Sequence, residues 1–143
     1  MFSKIFNLFL SFIMLISSLF GGGADKNKSD IISYNLSKTT VSVTLTENPS
    51  TGYQWSYNII NEKVAYLSAD RYVNTAPEDV VGAAGTRILT FRGIKEGTTK
   101  IVLSYERPFE ENPEPIRVIT IMLTVNSDKT LEASVFSDTG NIQ

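Results

Sequence analysis

Hydrophobic and polar residues alternate with a period of two along most of the chain between Ile31 and Val125. In the segment TTVSVTL, Val41, Val43 and Leu45 alternate with hydroxyl-bearing residues, which is the pattern of a strand with one buried face. The same alternation groups four further sets on one face each: Tyr53, Trp55, Tyr57 and Ile59; Leu89 and Phe91; Ile101, Leu103 and Tyr105; and Ile119, Ile121, Leu123 and Val125. Together with 31–36 and the mixed segment 64–73, which has room for a helical turn before its strand, the pattern predicts about seven strands.

Short strands of this number, joined by turns rich in Gly, Pro and Asn, predict a single all-β domain. We expect an immunoglobulin-like antiparallel β-sandwich of roughly seven to eight strands, spanning residues 25–125 with Trp55 in its core. Residues 126–143 have the polar composition of a weakly ordered C-terminal tail.

Residues 1–24 have the pattern of a cleaved secretory signal peptide. Lys4 precedes an apolar run from Ile5 to Phe20, which is followed by small residues up to Ala24. An uncleaved membrane anchor is the alternative, but polar residues interrupt the run, which is short for the roughly 20 residues of a membrane helix. We therefore expect entry into the secretory pathway, with secretion or delivery to lysosome-like or phagosome-like vesicles, and no stable membrane association after cleavage.

The composition argues against catalysis, metal binding and nucleic-acid binding. The chain has no Cys and no His, which removes Cys–His and Ser–His–Asp chemistry and all zinc sites with thiolate or imidazole ligands. With 15 acidic and 13 basic residues, it offers no basic patch for phosphates. Glu110, Glu111 and Glu114 could suggest a carboxylate hydrolase, but we interpret them as a solvated acidic loop. We expect no enzyme activity, no cofactor and no metal.

The connection after the second predicted strand is more elaborate than a hairpin needs. Within ENPSTGYQW, we name residues 48–52 the central loop. Pro49 fixes its own φ and restricts Asn48, while Gly52 can adopt positive φ to enter the next strand. Ser50 and Thr51 are left at the apex of this turn. Taken alone, the motif fits a stiff turn equally well.

A second unusual connection, residues 80–86, is named the Gly-rich loop. It contains Gly82, Ala83, Ala84 and Gly85, whose small side chains allow another backbone to approach closely. A plain flexible connection is the alternative interpretation.

A third connection, residues 107–111, is named the Arg-Pro-Phe loop after Arg107, Pro108 and Phe109. Arg and aromatic residues are enriched among interface hot spots, although Phe109 could instead fold back onto the sandwich. In an immunoglobulin-like topology the connections after strands two, four and six emerge at one end. The three loops together therefore predict a binding edge.

These motifs, in this order and at strand spacing behind a signal peptide, resemble the chagasin family of protein inhibitors of papain-like cysteine peptidases. The resemblance covers most of 31–125. It implies an eight-stranded sandwich whose three loops form a wedge. The central loop would cover the peptidase's catalytic Cys and His, with Thr51 closest to them. The Gly-rich loop would lie along the non-primed subsites, and the Arg-Pro-Phe loop would lie on the primed side.

The resemblance implies peptidase binding by Asn48, Pro49, Ser50, Thr51, Gly52, Gly82, Ala83, Ala84, Gly85, Arg107, Pro108 and Phe109. The family more often has Trp at the position of Phe109, and Phe lacks the indole N–H donor. Ser50 replaces a commoner Thr, which is a milder departure. We expect a monomer that inhibits a peptidase of the cell itself or of a host. A secreted immunoglobulin-like adhesion or carbohydrate-binding module is the alternative function.

Overall fold

The computed structural model describes residues 31–74 and 76–140, which form eight strands in two four-stranded antiparallel sheets. One sheet has the order β1-β2-β5-β4 and the other the order β3-β6-β7-β8. The strands are β1 (Ile31–Leu36), β2 (Thr40–Glu47), β3 (Gln54–Ile59), β4 (Ala65–Val73), β5 (Gly85–Gly93), β6 (Gly97–Glu106), β7 (Arg117–Val125) and β8 (Leu131–Gly140). The prediction of an all-β antiparallel sandwich is confirmed.

The core lies between the two sheets and consists of the alternating positions seen in the sequence. Burial alternates strictly along β2 and along β7, and each large apolar side chain that is fully buried contributes about 1.5–3 kcal/mol to folding. Trp55 is 3% exposed, as predicted for a core residue, whereas Tyr57 is 43% exposed. The Tyr57 ring nevertheless meets the Phe91 ring edge-on at a centroid distance of 5.9 Å.

Strand β8 corrects the prediction of a weakly ordered C-terminal tail. Leu131–Gly140 pairs with β7 along nearly its whole length, and Leu131 is buried while Ala133 and Val135 pack against the core. These three residues alternate with Glu132 and Ser134, so this segment has the same period-two pattern as the other strands. Its polar composition obscured that pattern. The proposed signal peptide and residues 141–143 lie outside the described residues.

The two sheets bring three connections to one end of the sandwich. In the first sheet the end of β2 faces the start of β5, because Glu47 pairs with Gly85. In the second sheet Gln54 at the start of β3 pairs with Glu106 at the end of β6. The β2–β3, β4–β5 and β6–β7 connections therefore leave from neighbouring strand ends, as the topology predicts. No helix within 31–74 or 76–140 has the length and apolarity that crossing a bilayer requires.

Candidate functional site

The central loop is a single 3₁₀ turn, Pro49–Thr51, closed by its own hydrogen bonds. The Asn48 carbonyl accepts from the Thr51 amide (3.2 Å) and from the Thr51 hydroxyl (2.7 Å). The Asn48 side chain caps the turn by accepting from the Ser50 amide (3.2 Å). Gly52 closes it at φ 81°, as predicted, with its amide donating to the Pro49 carbonyl at 3.0 Å. The loop is a rigid projection, with Pro49, Ser50 and Thr51 exposed.

The base of the central loop rests on an aromatic group contributed by β3 and β6. The Trp55 indole N–H donates to the Thr46 carbonyl (2.8 Å), which joins the two sheets beneath the loop. The Tyr105 hydroxyl accepts a hydrogen bond from the backbone amide of Asn48 at 3.2 Å. The Tyr105 ring stacks on Trp55 with the ring centroids 5.0 Å apart. Tyr105 also lies just before the Arg-Pro-Phe loop. One aromatic cluster thus supports two of the three loops.

The Gly-rich loop contacts the central loop through Asn48. The side-chain amide of Asn48 donates to the Gly82 carbonyl at 3.0 Å, and Gly82 has φ 82°. At the tip, Val81 is 97% exposed, a residue that sequence analysis did not include among the site residues. Residues 85 and 86 of this loop already belong to β5, and Gly85 is buried. Gly85 therefore shapes the base of the loop and is not part of its exposed surface.

The Arg-Pro-Phe loop lies against the other side of the central loop. The Arg107 guanidinium sits 4.5 Å above the Tyr53 ring, and an exposed ion pair joins Arg107 to Glu110 at 3.5 Å. Phe109 is 73% exposed, so it does not fold back onto the sandwich. Its ring edge lies so close to Gly52 that a Cβ there would be 3.1 Å from Phe109 Cε1.

A group of charged side chains that the sequence motifs did not predict lies beneath the loops. Glu47 is 2% exposed, and its carboxylate accepts from the Trp55 amide (2.7 Å) and from Arg87 Nη1 (3.1 Å). Arg87 also donates to Asp70 through Nε and Nη2, the latter at 2.7 Å. The hydrogen bond to Asp70 is the main cause that raises the pKa of Arg87 above its usual value, opposed by partial burial and aided by the charge of Glu47.

The sequence did contain a sign of this charged group. Glu47 continues the inward-facing series of Val41, Val43 and Leu45, and Arg87 occupies the same place before Leu89 and Phe91. A charge on the buried face of a strand needs a partner, and two such positions of opposite sign at neighbouring strand ends predict a pair. Within 31–74 and 76–140, no group of three or more acidic side chains could together hold a metal ion.

Comparisons with known proteins agree with the resemblance. Residues 37–125 match the family described as "Chagasin family peptidase inhibitor I42". The chain is 31% identical over 85 residues to Amoebiasin-2 of Entamoeba histolytica, an alignment that covers 59% of this chain and 69% of that protein. It is similar in structure to the cysteine protease inhibitor EhICP2 from Entamoeba histolytica, with a TM-score of 0.50, 35% identity, and coverage of 57% of this chain and 73% of that chain. All three loops lie inside the range that matches the family.

Proposed function

Because this chain belongs to the chagasin family of peptidase inhibitors, we propose that it inhibits papain-like cysteine peptidases reversibly, by filling the active-site cleft with its three loops. The chain is an inhibitor of cysteine peptidases and not an enzyme, like the relative EhICP2. The observation that carries the proposal is the contact of all three loops at one end, through Asn48 with Gly82 and through Gly52 with Phe109. Inhibitor complexes usually bury about 1,600 Å², and we expect the three loops together to form an interface of that size.

The central loop blocks the peptidase without being cleaved. A nucleophilic thiolate needs a peptide carbonyl that it can reach in an extended chain. Here the Asn48 and Pro49 carbonyls already accept hydrogen bonds within the turn, and the turn cannot lie extended across the cleft. We propose that Thr51 at its apex lies closest to the catalytic Cys and His. The internal hydrogen bonds reduce the ordering entropy that binding would otherwise cost.

The Gly-rich loop supplies an apolar contact on the non-primed side. Val81 projects into solvent at the tip of a loop, where an exposed aliphatic side chain gains free energy by entering an apolar pocket. Ala84 and Gly82 are exposed beside it and are small enough to let the peptidase backbone approach. We propose that Val81 enters an apolar subsite of the peptidase.

The Arg-Pro-Phe loop supplies an aromatic contact on the primed side. Phe109 presents most of its ring to solvent, and aromatic side chains are typical anchors of interfaces. The Arg107 guanidinium is held over Tyr53, so we assign it to orienting this loop. With Phe109 in place of Trp, the contact is apolar and has no indole N–H donor.

The cellular setting of the proposal follows from the predicted signal peptide. We propose that the chain enters the secretory pathway and acts as a monomer, either after secretion or inside lysosome-like or phagosome-like vesicles. Its target is then a peptidase of the same cell or of a host. The absence of Cys prevents a mixed disulfide with the target thiol, so a reducing compartment leaves the inhibitor unchanged.

Titration of papain tests the proposed function. The chain from residue 25 onward is added to papain, and hydrolysis of a fluorogenic peptide is followed at several substrate concentrations. We expect reversible inhibition that saturates at one inhibitor per peptidase, with the inhibitor recovered intact. Full peptidase activity at micromolar inhibitor would remove the proposal.

A further inference from the structure

The charged group beneath the loops joins the strands on both sides of two loops. Glu47 ends β2, directly before the central loop, and Trp55 is the second residue of β3, the strand that follows this loop. Asp70 lies on β4 before the Gly-rich loop, and Arg87 lies on β5 after it. The Arg87 guanidinium therefore contacts one carboxylate on a strand that flanks the central loop, Glu47, and one on a strand that flanks the Gly-rich loop, Asp70.

The geometry of this contact requires arginine. Arg87 uses Nη1 for Glu47 and its Nε–Nη2 edge for Asp70, so its planar fork fixes the angle between the two carboxylates. A lysine ammonium carries the same charge but has no planar fork. A buried ion pair adds little net stability, because desolvation offsets the attraction. What such a pair supplies instead is a defined geometry.

The group also joins the two sheets. Glu47 belongs to the first sheet and Trp55 to the second, and the hydrogen bond from the Trp55 amide to the Glu47 carboxylate spans them at 2.7 Å. If the Glu47 carboxylate rotated, its hydrogen bond with the Trp55 amide would break. The chain that follows the central loop and the stacked Trp55–Tyr105 pair would then no longer be held in place. Arg87 binds the other oxygen of that carboxylate, Oε1, while the Trp55 amide binds Oε2.

We propose that Arg87 is a positioning residue for inhibition. Through Glu47 and Asp70 it holds the central loop and the Gly-rich loop in a fixed position relative to each other. Arg87 lies below the loop tips and is assigned no contact with the peptidase. The inference rests on the proposed function, since it concerns the same inhibitory edge. It adds that the relative position of the two loops is set by a charged side chain outside both apices.

The test compares Arg87→Lys with Arg92→Lys, an exposed arginine at the far end of the same strand. We expect Arg87→Lys to raise the inhibition constant for papain about tenfold, the loss associated with one charge-assisted hydrogen bond. Arg92→Lys should leave it unchanged. Asp70→Asn, which weakens only the outer half of the fork, should shift the constant in the same direction by a smaller factor.

Amide exchange in the free inhibitor separates positioning from general destabilisation. The Gly52 amide reports on the central loop and the Val80 amide, which donates to the Pro77 carbonyl at 3.0 Å, on the Gly-rich loop. In Arg87→Lys, NMR should show faster solvent exchange at both amides, with exchange at Leu103 in the core unchanged. The proposal is overturned if Arg87→Lys inhibits like the wild type, or if core and loop amides speed up together. Failure of the wild type to inhibit papain would instead reject the proposed function.

Discussion

The central loop and the Gly-rich loop lie side by side but are held in different ways. The central loop closes on itself, with five hydrogen bonds among Asn48, Pro49, Ser50, Thr51 and Gly52 that fix a single turn. In the described part of the connection before β5, the Val80 amide donates to the Pro77 carbonyl, and the Gly82 carbonyl accepts a hydrogen bond from the central loop. The hydrogen-bonded central loop therefore also restrains the position of the Gly-rich loop. Changes in the central loop should therefore disturb both.

The largest expected effect comes from Gly52→Ala. Alanine at φ 81° costs about 1–2 kcal/mol, and its Cβ would stand 3.1 Å from Phe109 Cε1, so the Arg-Pro-Phe loop must also shift. We expect the inhibition constant for papain to rise about 10- to 100-fold, measured by titration beside the melting temperature.

Gly82→Ala is the matched control in the Gly-rich loop. It has the same backbone strain at φ 82°, but its Cβ would meet only Ser50 Oγ at 3.7 Å, an ordinary contact. We expect a smaller rise than for Gly52→Ala, about tenfold or less. An equal or larger effect of Gly82→Ala would mean that the central loop does not organise its neighbours.

A smaller effect is expected for Asn48→Asp, which cuts the link between the two loops. Aspartate still caps the 3₁₀ turn, but it cannot donate to the Gly82 carbonyl and places a carboxylate beside it. We expect a rise in the inhibition constant of about threefold, the loss of one hydrogen bond at an exposed site, and faster amide exchange at Val80, with Gly52 unchanged. Asn58→Asp, an exposed site on β3, controls for the added charge. Unchanged exchange at Val80 would refute the link.

The smallest effect is expected for pH. The chain has no His, and among the described residues the pKa values of Arg87 and Asp128 move away from neutrality: the hydrogen bond to Asp70 raises that of Arg87, and hydrogen bonds from Thr130 lower that of Asp128. A lowered carboxyl pKa contributes stability above its unfolded value, which is lost as pH falls through the folded value. Both transitions lie outside pH 5.5–7.5.

We therefore expect the affinity for papain and the melting temperature to change little between pH 7.5 and pH 5.5. Affinity is measured at both values, and the titration of papain itself is subtracted with a small active-site ligand. A large loss of affinity at pH 5.5 that belongs to the inhibitor would contradict this expectation.

Much of the fold could be predicted because several strands, above all β2 and β7, bury every second residue on one face. The period of two is clearest in two series of apolar residues, Val41–Val43–Leu45 and Ile119–Ile121–Leu123. All six residues belong to the core. The same rule applies to β8, where small and polar residues surround Leu131 and obscure the alternation. The polar composition of this segment led to the wrong prediction of a weakly ordered tail, whereas its period-two alternation would have predicted a strand.

The convergence of the three loops could also be predicted, because topology places alternate connections at one end. The contacts that organise them could not be read from motifs, since they join residues far apart in sequence, such as Asn48 with Gly82 and Asn48 with Tyr105. The Arg-Pro-Phe loop shows the same limit. That Phe109 rests against Gly52 depends on the pairing of β3 with β6, which places Gln54 beside Glu106, and not on either local sequence.

Protection of the papain active-site thiol tests the central claim most directly. The inhibitor has no Cys, so a thiol-alkylating reagent reports on the peptidase alone. At one inhibitor per papain we expect alkylation of the catalytic Cys to be suppressed, with Thr51→Ser protecting like the wild type. Thr51→Asp, which sets a carboxylate against the thiolate at the loop apex, should protect poorly while its melting temperature stays close to wild type. Alkylation of the inhibited complex as fast as free papain would contradict occlusion by these loops.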